Sequence, residues 1–541
     1  MNQIAQHYQV AILAGKEGDH KLSHRSMPII VFVMLTLMLL TGCTSSQTAS
    51  TGRVPLADAV AGLPNPAIWK NFQDLTQIPR PSHHEALVSA FIAKFGRSLG
   101  LETIVDDVGN VIIRKPATPG MENRAGVVLQ AHLDMVPQKT STSTHNFETD
   151  PINAYIQDGW VHADGTTLGA DDGSGVAIII ALLQATDVTH GPIEALFTVN
   201  EEDGFTGINA LATDALRGRI FINIDNEVEG QFLISSAGGV YVDVQKRYTE
   251  VTLPAGMTGL RITIDGLKGG HSGADIDKGR ASAHQLMARL LVNAPAPFDV
   301  RVGSLAGGDQ SNAIPRATST VVALPADQVA AFILYVNDFT RTAAKELATT
   351  DPGVTATVTP VSLPVNVMEA SEQKALIGAV YAAPQGVFRM SATVPGLVET
   401  SGNIGVLTIG NGQFIATVYV RSALDSERDA EAQRFATVFE QAGATVTTRG
   451  AYSSWPPNPD SALLALMQQV YADLYGTAPT VAAIHAGLET SVAGIKYPGI
   501  DMISIGPTLQ SVHSPDEQLE VASVPKVYNL IVAMLAKVKL R

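Results

Sequence analysis

The chain has 541 residues, of which 45% are hydrophobic, and a formal net charge of −15. That length holds more than one domain and that apolar content fills ordinary buried cores, while the acidic balance argues against a nucleic-acid surface. A single cysteine, Cys43, excludes an intramolecular disulfide and any metal site built from a set of thiolates.

Lys16, Lys21 and Arg25 precede an apolar run from Ile29 to Leu40, followed by Thr41-Gly42-Cys43. A basic segment, a short apolar core and small residues describe a secretory signal, and the run is too short to span a bilayer comfortably. Leu40-Thr41-Gly42-Cys43 resembles a bacterial lipobox, in which the cysteine is acylated and becomes the new N-terminus. Thr44 after the cysteine resembles outer-membrane sorting. The expectation is a signal peptide over residues 1–42, lipidation at Cys43, and a lipid-anchored protein of the bacterial cell envelope, on the outer membrane facing the periplasm. Residues 43–63, rich in Ser, Thr, Ala and Gly, read as a flexible tether.

The first helix is expected over Ala67 to Leu75. Pro79-Arg80-Pro81 breaks the chain, and Ser82 with Glu85 three positions on forms a capping box for a helix ending near Leu99. His83 and His84 fall in its first turn, at the surface or the rim of a site. Thr103 to Asp106 and Val111 to Arg114 flank Gly109-Asn110 as a hairpin. The apolar run Val128 to Val136 then carries His132 and Asp134 two positions apart. In a strand such residues share a face, and a ligating histidine usually gives its second ring N–H to a carboxylate.

Three later segments place acids where strands end or bend. Leu168 to Gly175 holds Asp171 and Asp172 in a glycine-rich bend before an apolar helix from Val176 to Leu183. The strand Ala195 to Val199 ends in Glu201-Glu202-Asp203, and the short strand Phe221 to Ile224 ends in Asp225. Open α/β sheets collect ligands at the carboxyl ends of their strands, so these ends suggest one shared crevice. Acids brought this close repel strongly without a cation among them.

After about Gly239 the texture changes. Strands are expected over Gly259 to Ile264, Val300 to Leu305 and Thr318 to Leu324, with helices over Ala281 to Leu291 and Ala326 to Leu347. A second pass follows: a helix Ser371 to Ala382, strands Ile404 to Ile409 and Gln413 to Arg421 joined at Gly410-Asn411-Gly412, and a helix Ser426 to Ala442. From about Ser453 the first texture returns, with a helix Ser461 to Leu474, a buried strand Met502 to Ile505, a loop holding His513, and a closing helix Val521 to Val538. If His513 belongs to the same crevice, the stretch between the two similar textures is an insertion. The expected fold class is α/β, a catalytic domain of mixed sheet flanked by helices, built from 64–239 and 453–541. The insertion 240–452 is an α+β lid domain of two similar units.

The series QAHLDMV, LGADDGSG, NEEDGFTG, NIDNE, GGHSGADI, NAIPR, VRS, AIHAGLE and GP…HSPDE, in that order from about residue 65 to the C-terminus, resembles the di-zinc aminoacyl-histidine dipeptidases. These are the bacterial peptidase D or carnosinase-like enzymes, within the larger family of co-catalytic zinc aminopeptidases, carboxypeptidases and deacylases. The resemblance implies two Zn²⁺ ions, with Mn²⁺ or Co²⁺ as alternatives, and metal ligands His132, Asp171, Glu202, Asp225 and His513, Asp171 bridging the pair. It implies that Asp134 orients His132 and that Glu201 is the general base. It assigns His271, Asn312, Arg421 and Glu489 to the substrate, Arg421 to its free carboxylate and Glu489 to its amine. It also admits a homodimer paired through the lid.

The implied activity is metal-dependent hydrolysis of dipeptides, Xaa-His or a broader range. Gln310-Ser311, Ala317 and Thr490 depart from the family pattern on what should be the substrate side, which loosens the histidine preference. The alternatives are an N-acyl amino acid deacylase or carboxypeptidase of the same family, and a non-catalytic lipoprotein that captures peptides. A deacylase would turn over acetylated amino acids, and a binding module has no need of a general base.

Overall fold

The strands Val127–His132 and Ile193–Thr198 are buried at every residue. Their nearly unbroken apolar sequence follows from that, since a parallel strand covered on both faces cannot alternate. They lie side by side in the middle of an eight-stranded sheet whose order is Glu102–Val105, Val111–Lys115, Ile193–Thr198, Val127–His132, Ile220–Asn223, Asp501–Ser504, Gln231–Ser236, Thr480–Ile484. The computed structural model describes residues 52–539.

Val127–His132 runs parallel to both of its neighbours, and Asp501–Ser504 runs parallel to Ile220–Asn223. Four carboxyl ends therefore open on the same edge. The helix Ala170–Gln184 packs against the central strand, and Val176 to Leu183 is buried on every side. Helices Pro66–Thr76 and Val524–Lys537 cover it in turn. The core so formed gathers Trp69, Phe72, Ile178, Phe197, Ile222 and Met534.

A nine-stranded sheet carries the expected lid. Met257–Asp265, Arg301–Gly307, Thr318–Pro325 and Thr355–Pro360 form one half, with helices Ala283–Val292 and Val329–Glu346. Gly238–Arg247, Val398–Gly410, Gln413–Ser422 and Thr445–Tyr452 form the other, with helices Ala370–Ala382 and Asp425–Gln441. The halves join where Arg301–Gly307 pairs with Val398–Gly410, and the ninth strand, Gly386–Met390, pairs beside the latter. Asn411 and Gly412 both have positive φ, the backbone of a tight hairpin, where the left-handed conformation favours these two residue types. The chain passes between the two sheets twice, and the passages pair with each other at Ser236 with Trp455 and Gly239 with Tyr452.

Two sequence expectations fail here for physical reasons. Val54–Pro55 pairs with Ala154–Gln157 and Leu56 is fully buried at the start of a short helix, so this end of the 43–63 segment is held by the body rather than acting as a tether. The helix Ala86–Ser98 lacks the expected capping box. The Ser82 hydroxyl instead donates to Asp134 (2.8 Å), and the Glu85 carboxylate accepts the backbone N–H groups of His83 and Asn200 (2.9 and 3.1 Å). Both side chains are committed to the loops around the acidic cluster.

Candidate functional site

His132 is the last residue of its strand, and Asp134 follows at the point where the chain leaves the sheet. Asp134 is fully buried and is the hub of the site. One oxygen accepts the N–H of Glu201 (2.9 Å), the other accepts the N–H of Glu202 (3.2 Å), and His132 Nδ1 lies 3.3 Å away. Burial opposes ionisation of Asp134, but the hydrogen bond and charge of His132, with the Glu201 N–H and the Ser82 hydroxyl, bring its pKa down to about 2. It is a permanent anion that fixes both the imidazole and the Glu201-Glu202 turn.

Asp171 sits in the bend before the buried helix, where Asp171 and Asp172 are non-helical and the peptide between them is cis. Glu517, from the far end of the chain, shapes that bend. Its two oxygens accept four consecutive backbone N–H groups, those of Leu168 (2.8 Å), Gly169 (3.0 Å), Ala170 (2.8 Å) and Asp171 (3.3 Å). Arg80 closes the other side by donating to the carbonyls of Leu133 and Asp134, both at 2.8 Å, and to that of Gly169. Gly169 has φ +69, and a Cβ there would meet the Arg80 guanidinium at 2.8 Å, which is why the motif needs glycine. Replacing Glu517 with glutamine puts an amide against two of the four N–H donors. The expected cost is about 3 kcal/mol of folding stability, read as a lower denaturant midpoint with an unchanged slope.

His513 projects from the loop between Leu509–Gln510 and Gln518–Glu520, a hairpin of a small five-stranded sheet. The backbone of His513 itself has φ +60, in the left-handed region that few residues other than glycine occupy. Its Nε2 lies 3.1 Å from Asp171 Oδ2 and 3.0 Å from Glu202 Oε2. On the other side of Asp171, His132 Nε2 lies 3.0 Å from Asp171 Oδ1 and 3.6 Å from Asp225 Oδ1. Asp171 thus offers one oxygen to each histidine.

The donor set fits divalent cations. With Nδ1 of His132 against Asp134, its Nε2 faces two carboxylates; burial lowers the pKa of the ring, but hydrogen bonds to Asp134, Asp171 and Asp225 raise it well above the ordinary value, so the imidazole holds a proton there that a cation can replace. The same residues form overlapping groups of potential ligand atoms, Asp171, Glu202 and His513 in one, and His132 with Asp172 and Asp225 or with Glu201 and Glu202 in others. Asp172 is the least suited of these. Its oxygens already accept the N–H groups of His132 (3.3 Å) and Gly175 (3.1 Å).

The titration of the cluster reflects the crowding. Burial raises Glu202 to about 7, with the charge of Asp171 adding to it, and raises Asp225 to about 6. Burial lowers the pKa of His513, but hydrogen bonds to Asp171 and Glu202 overcome this and raise it to about 11. Burial pushes Glu201 well above the ordinary carboxylate range; Glu202, Asp225 and Glu489 add to the shift while His132 opposes it. Glu227, which sequence reasoning passed over, is raised to about 7 by burial and by Asp171 and Asp225.

The lid brings His271 and Arg421 together. His271 Nδ1 accepts the N–H groups of Gly273 (3.3 Å) and Ala274 (3.1 Å), so its Nε2 carries the proton, and Arg421 Nη2 lies 3.2 Å from that nitrogen. Burial first and Arg421 second lower His271 to about 4, keeping it neutral. The Arg421 guanidinium lies 4.2 Å from the centre of the Tyr419 ring, which stacks on Tyr241 at 4.4 Å. Asn312 stands next to the pairing of His271 with Ala313; its backbone carbonyl accepts the N–H of Ser272 (2.7 Å) and its side chain is exposed. Glu489 is fully buried on the catalytic side, bonded to Gln130 (2.5 Å) and Thr198 (2.7 Å).

Arg80, Glu517, Ser82, Glu85 and Glu227 are among the residues that the sequence reading did not assign to the site. Glu517 and Glu227 carried a signal, as the last letters of HSPDE and NIDNE. The others act through partners far away along the chain.

A model of the peptidase family M20/M25/M40 matches residues 128–537. The chain is 38% identical over 471 residues to the cytosol non-specific dipeptidase of Escherichia coli, covering 87% of this chain and 97% of that one. It is similar to the crystal structure of aminoacylhistidine dipeptidase from Vibrio alginolyticus, with 39% identity, a TM-score of 0.81, and coverage of 89% of this chain and 98% of that one. Aminopeptidase PepT from Bacillus cereus, at 17% identity and a TM-score of 0.52, covers 88% and 99% and shares the fold.

These comparisons correct the envelope assignment. The relative from Escherichia coli is a cytosolic enzyme by name and the match takes in nearly its whole length, so the reading as an outer-membrane lipoprotein facing the periplasm, held to the membrane by a lipid, is withdrawn. The signal peptide over 1–42 and the lipidation at Cys43 that led to it lie outside the described residues. Among the described residues no helix is long and apolar enough to cross a membrane. With its fold, its donor set for divalent metal and the match from residue 128 to 537 taken together, the chain belongs to peptidase family M20/M25/M40 and is a metallopeptidase.

Proposed function

We propose that this protein is a di-zinc dipeptidase that hydrolyses unblocked dipeptides, Xaa-His among them within a broader range. The observation that carries this is Asp171 set between two half-sites, His132 with Asp225 on one side and Glu202 with His513 on the other. Both relatives named above at 38% and 39% identity are dipeptidases, one non-specific and one for aminoacyl-histidine.

In this reading His132, Asp171 and Asp225 hold one ion, and Asp171, Glu202 and His513 the other. When bound, the two ions supply Lewis-acid polarisation and lower the pKa of water. Glu201 takes the proton from the attacking water and later returns it to the leaving amine. Asp134 keeps His132 in one tautomer and the Glu201-Glu202 turn in place. Arg421 and the Nε2–H of His271 both donate, and their convergence suits a carboxylate or an oxyanion. Asn312, on the neighbouring exposed loop, supplies a further polar contact, and Glu489 meets the substrate amine. Residues 64–239 and 453–541 form the catalytic part in this scheme and 240–452 the lid.

The test is a panel of dipeptides, carnosine included, with N-acetylated and C-amidated counterparts, on zinc-loaded protein. Unblocked dipeptides are expected to turn over and both blocked sets to lose at least a hundredfold in kcat/KM. Arg421→Ala should raise KM for unblocked dipeptides by about a hundredfold, since it leaves a carboxylate without its bidentate partner, and should leave the amides unaffected. Turnover of acetylated amino acids at the rate of dipeptides would overturn the assignment in favour of a deacylase.

A further inference from the structure

A row of polar side chains crosses the catalytic sheet beneath the metal-binding residues. Gln130 pairs in register with Asn223, and Asn223 with Ser504, on three adjacent strands, and all three are wholly buried. Such residues share one face, and on that face apolar side chains are the norm. The row is continuous. The Ser504 hydroxyl donates to Asn223 Oδ1 (2.5 Å), Asn223 Nδ2 donates to Gln130 Oε1 (2.7 Å), and Gln130 Nε2 donates to Glu489 Oε2 (2.5 Å). Thr198, on the fourth strand, donates to the same carboxylate oxygen (2.7 Å) and accepts from Gln130 (3.1 Å).

The direction of this row follows from its end. In the ionised form, the one that pairs with an ammonium, Glu489 only accepts, so Gln130 turns its amide nitrogen to it; the Gln130 oxygen then faces Asn223, which presents nitrogen, leaving the Asn223 oxygen for the Ser504 hydroxyl. Every donor therefore points toward Glu489. The other Glu489 oxygen, Oε1, is buried without a hydrogen-bond partner, although its carboxylate is fully buried. A carboxylate so fixed on one oxygen and unsatisfied on the other is prepared for a cationic donor.

We infer that Ser504, Asn223 and Gln130 are positioning residues that hold the Glu489 carboxylate in place for the substrate's α-ammonium, and so set the preference for dipeptides with a free amine. This rests on the reading of Glu489 as the amine partner. None of the three touches the substrate; they act through Glu489. A purely structural row would lower stability or all activities together, whereas a positioning row changes the discrimination between substrates that have the amine and those that lack it.

The experiment uses the full-length, zinc-loaded protein, an alanyl dipeptide, and its propionyl analogue, which lacks only the amine and serves as a competitive inhibitor. Glu489→Gln tests the underlying reading, and Gln130→Met, Ser504→Ala and Ser504→Thr test the row. Gln130→Met should raise KM for the dipeptide at least tenfold and Ser504→Ala about threefold, with Ki for the propionyl analogue and zinc content within twofold of wild type. Ser504→Thr keeps the hydroxyl and should restore KM. If Glu489→Gln leaves the ratio of Ki to KM unchanged, the amine reading fails. If Glu489→Gln collapses that ratio while Gln130→Met and Ser504→Ala preserve it, the row is structural and the inference fails. Should Gln130→Met not fold, the Ser504 pair decides by itself.

Discussion

Glu201→Gln is expected to cut kcat by about a thousandfold or more, roughly 4 kcal/mol, while bound metal and thermal midpoint stay at wild-type values. The substitution keeps shape and removes the ability to accept a proton. Glu201 and Glu202 are neighbours, yet the structure separates them: Glu202 lies 3.0 Å from His513 Nε2, and Glu201 makes no comparable contact with either histidine. Their two N–H groups are pinned to the two oxygens of Asp134, so the turn cannot rotate to exchange them. The paired variant Glu202→Gln should therefore lose metal as well as turnover. Parallel assays of metal content and kcat distinguish the two, and a Glu201→Gln protein that loses its metal in proportion to its activity would make Glu201 a ligand instead of a base.

The parts of the site readable in the sequence are those in which one segment declares its own chemistry. His132 and Asp134, two apart on a strand, share a face in any strand, and their 3.3 Å approach follows from that spacing. Glu201, Glu202 and Asp225 follow strands, and the parallel register of Ile193–Thr198, Val127–His132 and Ile220–Asn223 brings them to one edge. In the lid the four long helices and five strands were legible from periodicity, whereas Gly238–Arg247, Thr355–Pro360, Gly386–Met390 and Thr445–Tyr452 were not read as strands. The split into two four-stranded halves sharing one sheet follows the repeated pattern of strands and helices.

Arg80 was not legible, because Pro-Arg-Pro has the local meaning of a chain break. Its use, to bridge the carbonyls of Leu133, Asp134 and Gly169, exists only once three segments have met. Ser82 and Glu85 had a strong local reading as a capping box, and the tertiary competitor won: Asp134 takes the hydroxyl, and the Asn200 N–H takes the carboxylate. Leu56 was submerged in a small, polar stretch whose composition reads as a tether, yet burial of one leucine and one edge pairing with Ala154–Gln157 is enough to hold that stretch. The amide row under the site was hidden in a different way. Gln130, Asn223 and Ser504 are single polar letters in apolar strands, and only register shows them to be adjacent.

Stripping divalent ions with a chelator should abolish turnover and should make the stability of the folded protein fall as pH rises from about 5 to about 8. In the ion-free fold Glu202 and Glu227 titrate near 7 and Asp225 near 6, all above their ordinary values, with burial as the main cause. Between pH 4.5 and 7 the fold thus retains protons that the unfolded chain has already released, and stability must decrease with rising pH across that window. His513, raised to about 11, has the same sign: its contribution is present in full below its ordinary value near 6.5 and is lost as pH climbs toward 11. Asp134, held near 2, works in the opposite direction only at strongly acid pH and leaves the window unaffected. A carboxyl that titrates near 7 in place of 4.5 carries about 3 kcal/mol of this dependence, which for a protein of ordinary stability is a large share of the whole. With ions bound the same carboxylates stay ionised, because the cations replace the protons, and the profile above pH 6 should be flat. Thermal midpoints of chelated and zinc-loaded protein at pH 5.5 and 8 provide the check. Equal midpoints for the chelated protein at both values would mean that Glu202, Glu227 and Asp225 do not retain their protons in the ion-free fold, and that burial and crowding do not raise them.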